Sequence, residues 1–175
     1  MRSTHKGEHE PVTVITLMGV SGCGKTIIGT NLAFKLGWEF IESDSYHSQK
    51  DIRKMSNGIP LTDADRWPWL EQLHSLLVEK QADEIPVILA CSALRESCRQ
   101  IIYKDLRGCE YVYLKGKYDL IWKRMRQREH FMKPAMLQSQ FDDLEEPEDT
   151  LTVHINQPVD QIIEKIINHF SLGKG

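Results

Sequence analysis

A chain of 175 residues is long enough for one well-packed core and too short for two ordinary domains, so a single domain over 1–175 is expected. Its 22 basic and 25 acidic residues nearly cancel, which argues against nucleic acid or a membrane surface as partner. No stretch approaches the ~20 apolar residues of a membrane helix. Cys23, Cys91, Cys98 and Cys109 form no C-x-x-C pair or zinc spacing, so reduced thiols in a cytoplasmic protein are expected.

Residues 1–10 are polar and charged and read as a loose tail. The apolar run 12–18 reads as a buried strand, and Ile28, Leu32 and Leu36 set a helical spacing over 26–36. A second strand, 38–41, ends in Glu42, Ser43 and Asp44. The polar stretch 45–65 carries Asn57-Gly58 as a helix stop or turn, with Thr62, Asp63 or Asp65 as candidate caps for the next helix. That helix tolerates Pro68 in its first turn and runs to about Gln81, with Leu70, Leu73, Leu76 and Leu77 on one side. A strand at 87–91, a helix at 93–103, a strand at 111–114 and a helix at 118–128 follow. Residues 129–147 look irregular and charged. The chain closes with a strand at 151–155 and an amphipathic helix marked by Val159, Ile162, Ile163, Ile166, Ile167 and Phe170. Short apolar strands alternating with helices imply an α/β fold with a five-stranded parallel sheet covered on both faces. The two polar stretches, 45–65 and 129–147, are expected over the carboxyl ends of the strands as substrate-binding and lid segments.

Between the first strand and helix lie Gly19, Val20, Ser21, Gly22, Cys23, Gly24, Lys25 and Thr26, the pattern G-x-x-x-x-G-K-[ST] in the context it requires. Its glycines let the backbone curl with N–H groups turned toward phosphate, and the helix N-terminus adds partial positive charge. Lys25 supplies a full charge and Thr26 a hydroxyl for magnesium. A nucleoside triphosphate is therefore the expected ligand. Cys23, beside Lys25 and just before the helix, is in surroundings that activate a thiol. The strand at 87–91 ends in Cys91-Ser92 without an acid, and no Asn-Lys-x-Asp guanine signature occurs. The acids instead follow the second strand. Glu42 and Asp44, two apart, point to one side: one toward magnesium-bound water, the other toward an acceptor hydroxyl. That division suits phosphate transfer to a small molecule. Arg124 and Arg128, at i and i+4, share a helix face ending where the lid begins.

The chain resembles gluconokinases of the small P-loop type, related in fold to shikimate kinase and the nucleoside monophosphate kinases. The resemblance is carried by residues 18–26, 44–47, 54–70, 90–95, 130–132, 137–141 and 144–147, and it spans about 14–167. It implies ATP and magnesium, D-gluconate as acceptor, 6-phosphogluconate as product, and usually a homodimer. It also implies Lys54 and Arg66 as carboxylate-binding cations and Arg124 with Arg128 as groups that neutralise transferring phosphate. His47 either bonds a substrate hydroxyl or caps a turn. Gln157, in Asn156-Gln157-Pro158, belongs either to an adenine-side loop or to a plain turn. The chain departs from the family in Glu42 for aspartate, Ser48 for proline, Asp51 for asparagine, Arg95 for lysine, and a missing glycine between Glu129 and His130. A kinase for another small acid or polyol, and a nucleotide-binding module without transfer, are the competing readings.

Overall fold

The computed structural model describes residues 10–127 and 136–173. Residues 1–9 of the expected tail, with Arg128, Glu129 and His130, lie outside these. Five parallel strands stand in the order β2-β3-β1-β4-β5. They are β1 (Val14–Met18), β2 (Glu39–Glu42), β3 (Val87–Ala90), β4 (Cys109–Lys115) and β5 (Leu151–His154). Every residue of β1 is buried, because the strand is central in the sheet and covered on both faces.

Alternation along the strands divides the core in two. Ile15 and Leu17 face α1 (Lys25–Leu36), α5 (Tyr118–Arg126) and α7 (Val159–His169), meeting Ile28, Leu32, Ile121, Ile162 and Ile166. Val14 and Met18 face α3 (Asp63–Ala82) and α4 (Glu96–Ile102), meeting Leu70, Leu73, Leu77 and Ile102. Burying each such side chain is worth about 1.5–3 kcal/mol, so the two apolar faces hold the sheet between its helices. Thr16, also buried, has its hydroxyl engaged by the Tyr103 hydroxyl at 2.6 Å.

The expected polar stretches contain structure that their composition hid. Residues 45–65 include α2 (Gln49–Ser56), whose N-cap Ser48 accepts from the Asp51 N–H. Asn57 closes this helix and Gly58, at φ 73°, turns the chain. Thr62 then caps α3 in a capping box with Asp65. Residues 129–147 include α6 (Leu137–Asp143), anchored by the fully buried Leu137.

Candidate active site

At the carboxyl end of β1 the backbone turns sharply, with Gly19 N–H donating to the Ser92 carbonyl at 3.2 Å. Gly22 (φ 81°) and Gly24 (φ 102°) hold left-handed conformations that side chains rarely adopt. A Cβ on Gly22 would also lie 2.6 Å from the Met125 side chain of α5. Lys25 folds its ammonium back onto the carbonyls of Gly19 (2.9 Å) and Val20 (3.1 Å). The Thr26 hydroxyl donates to Glu42 Oε2 at 2.6 Å, which joins the start of α1 to the end of β2. Burial raises the Glu42 pKa, and Asp44 adds to this; the Thr26 bond and Lys25 oppose both. Cys23 is fully buried, so its sulfur is withdrawn from the solvent that activation by Lys25 had suggested.

A groove on one flank of the loop is lined by Gly22, Gly24, Arg124, Ile155 and Gln157. Arg124 donates to the Ile155 carbonyl at 3.0 Å, and Gln157 to the His154 carbonyl at 2.9 Å. Arg124 therefore stands beside Gln157, on the flank of the loop remote from Asp44.

A cleft on the opposite flank is lined by Asp44, His47, Arg66, Arg95, Gln140 and Asp143, among others. The turn bearing Asp44 is fixed by Trp69, whose indole N–H donates to the Ser43 carbonyl at 2.9 Å. His47 stacks on Trp69 with ring centroids 4.2 Å apart, its side chain only 5% exposed and Nε2 3.8 Å from Asp44 Oδ1. Burial lowers its pKa, against the opposing charges of Asp44 and Asp51. Its Nδ1 is buried and finds no partner among the described residues. Ala93 lines the cleft at φ 43°, a strained conformation for a residue with a side chain.

The cations of this cleft are arranged in a closed ring. Arg66 reaches Asp143 at 2.7 Å and Asp63 at 3.3 Å; Arg95 reaches Asp143 at 2.5 Å and Asp63 at 3.1 Å. Burial raises the Asp143 pKa, but the hydrogen bonds from Arg95 and Arg66 outweigh it and hold the carboxyl below its ordinary range. Lys54 is placed elsewhere. Its ammonium bonds both Asp65 oxygens, at 2.8 and 2.7 Å, and ties α2 to the cap of α3. That bond, with those from Thr62, keeps Asp65 well below the usual carboxylate range.

The fold thus assembles Thr26, Glu42 and Asp44 at the strand ends, with His47 and Arg66 across the cleft. Lys54 stands outside the cleft lining, Arg124 lies on the far flank, and Arg128 is not among the described residues. The sequence reading assigned no role to Arg95, Gln140 or Asp143. The signal for the last two was present: a spacing of i and i+3 puts both on one face of a short helix. Gln140 accepts from the Ser21 N–H at 2.7 Å and donates to the Ser21 hydroxyl at 3.1 Å, which joins the phosphate loop to α6.

A phosphate loop on the central strand, flanked by one groove and one charged cleft, defines a P-loop kinase of the α/β class. A family model described as an AAA domain matches residues 14–147. The probable gluconokinase of Mus musculus is 41% identical over 88% of this chain and 95% of its own length. The thermoresistant gluconokinase of Escherichia coli K12 is 35% identical over 99% and 100%. Among solved structures, a gluconokinase from Sinorhizobium meliloti 1021 superposes with a TM-score of 0.80, at 38% identity over 93% of this chain and 94% of that one. The chain belongs to the gluconokinase family.

Proposed function

We propose that the protein transfers the γ-phosphoryl group of ATP to the terminal hydroxyl of D-gluconate, giving 6-phospho-D-gluconate. The observation that carries this is the position of Asp44. It stands two residues beyond Glu42, which holds the Thr26 hydroxyl, and it lines a cleft containing two arginines. A carboxylate acceptor bound by cations at one end of that cleft presents its hydroxyls to Asp44 at the other. Asp44 orients the attacking hydroxyl and accepts its proton as the bond to phosphorus forms. His47, neutral because burial lowers its pKa, offers Nδ1 to an acceptor hydroxyl. Lys25 and the loop N–H groups hold the β- and γ-phosphates, relinquishing the internal carbonyl contacts of Lys25.

Thr26 and Glu42 bring two hard oxygens to 2.6 Å, a donor pair suited to Mg²⁺ shared with phosphate, Glu42 acting through water. When bound there, the ion would supply neutralisation of phosphate charge. The family resemblance assigns Arg128 to the transferring phosphate, and Arg124 with Gln157 is assigned to the nucleotide flank. The homodimer rests on the family resemblance, and sedimentation tests it. A cytoplasmic setting is supported by four free cysteines.

The test is a coupled assay with ATP, Mg²⁺ and a panel of sugar acids and polyols. Gluconate-dependent ADP release is expected. Release with a different acceptor alone moves the proposal to that acceptor, and release with none refutes it.

A further inference from the structure

We infer that, without acceptor, Asp143 occupies the place on Arg66 and Arg95 that the acceptor's carboxylate takes, and that α6 carries this exchange to the phosphate loop through Gln140. This rests on the reading of the acceptor as a carboxylate. Both guanidinium groups direct Nη2 to the two oxygens of Asp143, and both direct Nη1 to Asp63. The ring is therefore charge-balanced, two cations against two anions. A third carboxylate entering it meets like charges within a few Å unless one acid leaves. Asp63, in the first turn of α3, is 66% exposed and does not line the cleft. Asp143 lines it and makes the shorter bonds to both arginines, so Asp143 holds the positions that a carboxylate entering the cleft would take. Asp143 is the last residue of the seven-residue helix α6, so its departure from the ring requires a shift of that helix's end.

The same helix holds the nucleotide side. Gln140 lies one turn before Asp143, is buried, and makes two hydrogen bonds with Ser21 in the phosphate loop. It lines the acceptor cleft as well. A shift of α6 that releases Asp143 moves the amide that fixes the Ser21 backbone N–H, one of the groups available to phosphate. Asp143 is then a specificity-determining residue and Gln140 a positioning residue. An acid acceptor replaces Asp143 with an equivalent carboxylate; a neutral polyol has nothing to offer the two arginines in exchange.

The test uses the full chain with Asp143→Asn and, because that variant has two arginine partners to lose, Asp143→Ser as a second. Removing the internal competitor is expected to lower KM for gluconate about fivefold and to leave the KM for glucitol, the neutral polyol, much less changed. If Asp143 only aligns the arginines, KM for gluconate rises instead, and the inference is overturned. The transmission is read in the unsubstituted protein, by the Kd of a non-hydrolysable ATP analogue with and without gluconate. A change of threefold or more is expected, reduced below twofold by Gln140→Ala. Equal affinities in the unsubstituted protein overturn the role of α6. A protein that turns over no gluconate at all refutes the functional reading and the inference together. Normal turnover with a raised KM in both Asp143 variants refutes the inference alone.

Discussion

The two flanks of the phosphate loop are built on opposite principles. The nucleotide side is backbone: glycines at φ 81° and 102°, N–H groups, a helix start, and one lysine, all within eight consecutive residues. The acceptor side is side chain: Asp44 after β2, His47 from a turn, Arg66 from α3, Arg95 after β3, and Gln140 with Asp143 from α6. The first is specified locally, and its lysine is held by neutral backbone carbonyls. The second exists only when the chain is folded, and its arginines are held by carboxylates. On the proposed reading, affinity for phosphate is a property of the loop, whereas choice of acceptor is a competition with groups of the protein itself.

The widest separation of the two flanks is expected at Asp44. Asp44→Asn should lower kcat by ~10²–10⁴ while ATP-analogue affinity stays nearly intact. A variant with most of its kcat would remove Asp44 from the chemistry and leave the acceptor flank without a base.

Next in size is the contrast between Arg66 and Lys54. Arg66→Ala removes a charge-assisted contact worth roughly 1.5–3 kcal/mol, so gluconate KM should rise about 10- to 150-fold. Lys54→Ala should change gluconate KM far less and instead lower the melting temperature, because its ammonium secures Asp65. Steady-state kinetics on both variants, with thermal unfolding, decides this. Equal effects on gluconate would restore Lys54 to the cleft.

What could be read before folding follows the same division. The phosphate loop was legible because its residues are contiguous and their conformational demands are local. The five strands were legible because their apolar runs are short and bounded, with ends misjudged by one or two residues. Helix α2 was missed because its exposed surface is charged, and only Asp51 and Met55 are buried. Helix α6 was missed because a charged neighbourhood hides its one fully buried apolar residue, Leu137. Lys54 and Arg66 carry the same charge and lie close together in the sequence. Only tertiary contact separates them, since Asp65 captures one and Asp143 and Asp63 the other. A charge in a sequence does not say which partner will reach it first.

On the nucleotide flank, Arg124 is held by the Ile155 carbonyl in the groove that also contains Gln157. Arg124→Ala should raise KM for ATP by about tenfold, the equivalent of one charged hydrogen bond near 1.4 kcal/mol, and leave gluconate KM within twofold. A loss confined to kcat, with both KM values unchanged, would move Arg124 to the transferring phosphate.

The smallest effect concerns pH and joins the two flanks through His47. Its side chain is 5% exposed and stacked on Trp69, and burial holds its pKa below the ordinary 6.5. Asp44 and Asp51 pull the other way without prevailing. In the unfolded chain the imidazole takes up a proton near pH 6.5, whereas in the folded protein it does so only at lower pH. The unfolded state therefore binds more protons between those two values. The contribution is fully present above pH 6.5 and is lost as pH falls through that window, with a slope no steeper than about 1.4 kcal/mol per pH unit. Other groups titrate as well, so the informative quantity is a difference. Urea unfolding at pH 7.5 and 5.5 should show a smaller loss of stability for His47→Gln than for the unsubstituted protein. The same window should carry a fall in gluconate affinity, because a protonated Nδ1 changes from acceptor to donor beside the substrate hydroxyl. Identical pH dependence in both proteins would mean that the imidazole takes up its proton at the same pH folded and unfolded, with Asp44 and Asp51 fully offsetting its burial. A larger loss for His47→Gln than for the unsubstituted protein would mean a raised folded pKa and would place His47 with Arg66 and Arg95 among the cations.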